Sequence, residues 1–232
     1  TGDGAILVRT RAGDLTVQTA VTAGGSGHVR LAAEGLGTNL LLNANLSNGT
    51  GHVTLLAAQN LTLGFGVYVT TSGAGTLDLE ALSGALTMNV GSTVQNATGA
   101  QRLAAAGHLT LGTLTTQGHV SLVSSGGAVR GGTVSAAGLR VNAAGDVGVL
   151  ATTVTTLSVR GAGVSVLETN GLTVGDVAVT VQRVSAENTL TAVSDAAQGD
   201  VEGRGTVVLR SATGALTLDD GANADGVAVR AG

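Results

Sequence analysis

Apolar residues recur at every second position in short runs along the whole chain: Val29/Leu31, Leu40/Leu42, Val53/Leu55, Leu61/Leu63, Leu77/Leu79, Leu86/Met88, Leu109/Leu111, Val120/Leu122, Val147/Val149, Val164/Val166, Val177/Val179, Val207/Leu209 and Leu216/Leu218. A period of two belongs to strands with one buried face, and the residues between are Thr, Ser, Asn, Arg, Glu and His, as a wet outer face requires. No stretch carries the 3.6-residue period, so no helix is predicted. The runs follow glycine corners that repeat about every 24 residues at Gly27, Gly51 and Gly75. Closer echoes of about 9 to 11 residues, as between Gly75 and Gly84 or Gly205 and Gly214, read as successive strands of one turn. A unit that short cannot bury its own apolar face and must stack on the next. The pattern therefore predicts an all-β chain wound as a parallel β-helix, or β-solenoid. With roughly 20 to 24 residues per coil it makes about ten to twelve coils, a rod about 50 Å long at the usual strand spacing.

Composition agrees. Of 232 residues 38 are glycine and none is proline. A stacked sheet commits nearly every backbone N–H to a ladder, which excludes proline, while corners favour glycine. Charged residues are 11% of the chain, the net charge is −4, and all eleven cations are arginines scattered from Arg9 to Arg230. No basic patch is present to grip nucleic acid or anionic lipid, and no run approaches the length of a membrane span. Without cysteine there is no disulfide, thiol catalysis or thiolate zinc site. Residues 1–232 read as a single continuous segment, an internal piece of a longer polypeptide. Alternation weakens and polar residues gather between 185 and 200, where a protruding loop is expected.

The four histidines, His28, His52, His108 and His119, all follow a glycine and precede Val or Leu, which assigns them to one repeat position. A ladder of imidazoles suggests zinc, but the same slot takes Asp14, Thr76, Asp146 and Ala215, and no second ligand type recurs beside it. A solvated outward position is the expectation. The Gly-x-Gly phrases lack the third glycine and following helix of a dinucleotide loop, so no cofactor is expected. Near the end, Asp219, Asp220, Asn223 and Asp225 offer oxygen ligands for one calcium ion. They lack the Asp-x-(Asp/Asn)-x-(Asp/Asn)-Gly spacing, and an ordinary polar turn is the expectation. Asp78 and Glu80 alternate on one strand and Glu202 lies near Arg204, pairs that fit a solvated face better than a hydrolytic centre; no catalytic residue is assigned and the chain is not expected to be an enzyme. Asn-x-Ser/Thr triplets at Asn45, Asn48, Asn60 and Asn96 mark expected exposed turns.

The phrases GHVTLLAAQNLTL at 51–63, GLRVNAAGDVGVL at 138–150 and GALTLDDGA at 214–222 resemble the repetitive regions of filamentous-haemagglutinin-like bacterial exoproteins. The resemblance implies a right-handed coil, export to the cell surface, and a part in adhesion, aggregation or biofilm, with no catalytic residues to carry over. It implies a stalk whose partners are neighbouring coils of the same chain, head-to-tail copies, or glycans and proteins of other cells. Two rivals stand beside it: a polysaccharide-binding or polysaccharide-cleaving β-helix, which a lateral cleft lined by carboxylates would favour, and a calcium-dependent β-roll surface-layer protein.

Overall fold

A computed structural model describes residues 3–232, and among them the chain is all strand and turn, wound as a parallel β-helix. Three parallel sheets run the length of the rod. The first stacks Ile6–Thr10, Val29–Ala33, Val53–Ala57, Leu77–Ala81, Gln101–Ala105 and His119–Ser124, then the ends of Thr133–Ala143 and Val147–Gly161, then Val201–Gly203 and Val229–Ala231. The second begins Leu15–Val17, Leu40–Leu42, Leu61–Leu63, and the third Val21–Thr22, Leu46–Asn48, Tyr68–Thr71. From Val29 to Gln101 each coil takes about 24 residues; from Gln101 to Leu157 it takes about 19, chiefly because the step from the second sheet to the third shrinks from Leu86–Thr93 to Leu109–Thr113, after which the corner between the third and first sheets is also drawn into the long strands Thr133–Ala143 and Val147–Gly161.

Identical side chains stack on identical side chains inside. Leu31, Leu55, Leu79, Leu103 and Leu122 form one column, and Leu40, Leu61, Leu86 and Leu109 another, each essentially without solvent contact. Two expected rungs are placed differently. A register shift between Val147 and Leu150 turns Leu150 inward and leaves Val149 66% exposed, and Val177/Val179 belongs to no coil at all.

Glycine does two separate jobs. Gly37 and Gly66 sit at positive φ, where a Cβ is strained. The column Gly27, Gly51, Gly75 and Gly99 has ordinary φ but is packed against the coil below: a Cβ on Gly51 would lie 1.9 Å from the Gly27 carbonyl oxygen. Beside this column polar residues turn inward to hold its carbonyls. Thr71 Oγ1 donates to Gly49 and Gly51 (2.7 and 2.8 Å), Asn96 Nδ2 to Gly75 (2.8 Å) and Thr116 Oγ1 to Gly99 (2.7 Å).

Candidate functional site

One insertion interrupts the winding. Between the Leu172–Val174 rung and the Val201–Gly203 rung the chain leaves the solenoid as an antiparallel hairpin, Val177–Val184 paired with Leu190–Gln198. The segment expected as a protruding loop, 185–200, is thus the tip and returning strand of a hairpin, which folds back along the flank of the rod instead of projecting. Val177, Val179 and Val181 are buried, and Ala100 packs against this group. At the tip Ser185 closes the turn by accepting the N–H of Glu187 and Thr189 on its hydroxyl, and Asn188 takes the left-handed conformation that amides tolerate.

The hairpin lands on a row of outward side chains of the first sheet that are in register: Arg30, Thr54, Asp78, Arg102, Ser121, Arg140 and Ser158. Each is buried, Asp78 completely. Polar contacts zip the two surfaces. Val184 N–H donates to Thr54 Oγ1 and Gln182 N–H to Thr76 Oγ1, both at 2.9 Å; Arg140 Nε donates to the Ala196 carbonyl at 3.0 Å and Gln198 Nε2 to Val141 at 2.9 Å. At the centre Asp78 receives Arg183 Nε at 2.6 Å and Arg102 Nη1 at 3.2 Å, Glu80 pairs with both arginines, and Asp195 lies 3.3 Å from Arg102. Burial opposes the charge on Arg102 and Arg183, but these carboxylates outweigh it and hold both guanidiniums above their ordinary value. The expectation that Asp78 and Glu80 lie on a solvated face is therefore corrected: a surface that alternates in sign has been roofed over. Glu202 is paired with Arg160 (2.8 Å), while Arg204 reaches the Ala144 carbonyl.

The histidines do not share one position. His28, His52 and His119 stand at the entry to the first sheet, in a column with Thr76 and Ala100; His108 stands at the entry to the second, in a column with Asp14, Asn39, Asn60, Ala85 and Asp146. Nor is the slot merely solvated. His28 Nδ1 accepts the His52 N–H at 3.1 Å, His52 Nδ1 the Thr76 N–H at 3.0 Å, and His108 Nδ1 the Ala128 N–H at 2.9 Å. Asp14, Asn39, Asn60 and Asp146 do the same with Oδ1. What the slot selects is an acceptor two bonds beyond Cβ that caps the N–H of the coil above. His, Asn and Asp all supply one, which is why they interchange. Where the hairpin meets the first column the slot holds Thr76, Ala100 and His119, and the His119 Nδ1 lies 3.2 Å from the Ala178 carbonyl of the hairpin instead of capping the coil above.

Three of the four calcium candidates make local bonds, though Asp220 Oδ1 is buried without a partner among the described residues. Asp220 Oδ2 accepts the Gly226 N–H at 2.7 Å, and Asp225 accepts the Val227 N–H and pairs with Arg230 at 3.2 Å. Asn223 donates to Asp200 at 2.7 Å; Asp219 begins the same turn without such a contact. Among the described residues no three His, Asp or Glu side chains converge on a point fit for a metal ion. Asp200 is 2% exposed, and burial, with Asp225, Asp220 and Glu202 nearby, pushes its carboxyl above the usual range against the help of Asn223. The triplet asparagines are also engaged: Asn48 and Asn96 face inward, Asn45 accepts the Tyr68 N–H and Asn60 the Ala85 N–H.

Next to a cleft of about 570 Å3 around Asp146, Ser165 and Thr206 lies another lateral cleft, about 670 Å3, on the first-sheet flank beyond the hairpin. Asn142, Arg160, Glu202, Arg204 and Arg230 line it, so it holds three arginines and one carboxylate. No family model, curated protein or solved structure matches the chain.

Proposed function

We propose that this chain is a stiff structural segment of a bacterial surface exoprotein or extracellular fibre, serving adhesion, aggregation or biofilm by holding other parts at a distance from the cell. The observation that carries this reading is the continuous first-sheet ladder from Ile6–Thr10 to Val229–Ala231, along which successive rungs pair in parallel over one shared apolar core. Such a stack gains length without cofactors, and its stability grows by nearest-neighbour increments. The roofing hairpin adds cross-bracing along several rungs. Its partners are neighbouring coils of a longer chain or further copies of itself. Antibody raised against the segment should label intact producing cells and extended surface material under the electron microscope. Labelling confined to the cell interior rejects the reading.

A second reading draws on the lateral cleft. Three arginines around a floor of small residues suit an acidic polysaccharide held by its carboxylates, and suit hydrolysis poorly with Glu202 the one acid present and already paired with Arg160. Retention of the protein on an immobilised uronate polymer, lost in Arg204→Ala, supports binding; equal retention of the variant rejects it.

A further inference from the structure

The hairpin tip borders a small cavity of about 90 Å3 on the first two coils, lined by Leu7, Val8 and Arg9 of the first rung, Arg30 of the second and Ala186 of the tip. Arg30 is 7% exposed. Its Nη2 donates to Glu34 at 2.5 Å, but its Nε and Nη1 are buried without an acceptor among the described residues. Buried guanidinium donors left unpaired are costly, and an arginine is not relieved by losing its proton. A second cation, Arg9, lies 3.9 Å from the same Glu34, so two guanidiniums share one carboxylate beside an apolar wall. Farther along the hairpin Arg102 and Arg183 face Asp78, Glu80 and Asp195, and Arg140 Nε is held by the Ala196 carbonyl. At the tip end of the same row Glu34 is the carboxylate within reach of both Arg9 and Arg30, and it leaves Arg30 Nε and Nη1 without an acceptor among the described residues.

We propose that this cavity binds a small oxyanion, a carboxylate or phosphate taken from solution, which Arg30 and Arg9 hold and which pins the hairpin tip to the start of the rod. The volume fits: it equals about three waters at liquid density, enough for one such anion.

The test is thermal unfolding of the intact segment at fixed ionic strength, with chloride replaced stepwise by phosphate or acetate. Once the anion exceeds its dissociation constant, the wild-type Tm should rise about 3–5 °C for each tenfold increase. Arg30→Met keeps the stem and removes the donors, and should abolish the rise. Arg130→Gln, an exposed arginine elsewhere, should retain it. If the Met variant does not fold, hydrogen exchange of wild-type residues 185–190 decides: slowing at the tip on adding phosphate supports the site. A flat wild-type response, with unchanged tip exchange, overturns the proposal in favour of trapped water. An equal rise in wild type and Arg30→Met overturns it as general salt stabilisation.

Discussion

A backbone N–H at a coil corner has no strand partner, and the capping slot exists to satisfy it. His52 must be neutral at Nδ1 to accept the Thr76 N–H, and burial, with His28 beside it, lowers its pKa below the ordinary 6.5. As pH falls the unfolded chain therefore takes up this proton first. The contribution to stability is whole above about pH 6.5 and is lost as pH drops through the folded value. His52→Asn, the residue that fills the slot at Asn39 and Asn60, should keep neutral-pH stability and flatten part of the acid decline in a urea titration. His52→Leu should cost about 1–3 kcal/mol by orphaning the N–H. Asp200 has the opposite sign: its raised pKa makes the ionised form a liability that grows as pH rises through the folded value. Asp200→Asn should thus raise the unfolding midpoint at pH 7 and leave it unchanged near pH 3. Gly51→Ala should be far more damaging than the usual glycine exchange, because the new Cβ meets a carbonyl at 1.9 Å; loss of the cooperative transition by circular dichroism is the expected result.

Among elements, the hairpin was the one the chain concealed. Its strand Val177–Val184 carries the same alternation as a rung, and its return is polar because it faces solvent on one side, so periodicity alone reads it as a coil followed by a loop. The trace it leaves in the sequence is indirect. Arg30, Asp78, Arg102 and Arg140 occupy one outward row at coil spacing, with signs suited to bridging, and the row is legible only when the register is known. The rungs themselves were plain because Leu stacks on Leu, whereas the acceptor role of the histidine slot was hidden by spreading over two columns with three residue types. Removing Asp78 leaves Arg102 and Arg183 to Glu80 and Asp195 and takes away two charged hydrogen bonds, and Asp78→Ala should cost about 1.5–3 kcal/mol. Arg183→Ala withdraws the hairpin's own charge; limited proteolysis should then cut at 185–190 faster than in wild type, with the coils still intact.

Over residues 3–232 the chain is a rod, and in the isolated segment its first and last coils each have one neighbouring coil. Leu216 and Leu218 are 40% and 56% exposed on the last coil, and Leu7 and Val8 are similarly bare on the first. Unpaired edges of this kind associate. The isolated segment should show a mass that rises with concentration in light scattering, and Leu218→Lys should suppress the rise. Lengthwise bracing carries a different consequence. Because hairpin groups meet Thr54, Asp78, Arg102 and Arg140 rung by rung, the flank works as a ruler: a repeat gained or lost between those residues by slippage at the gene level would put every tooth out of mesh. Repetitive chains drift in copy number, and this one carries its own gauge against drift across that stretch.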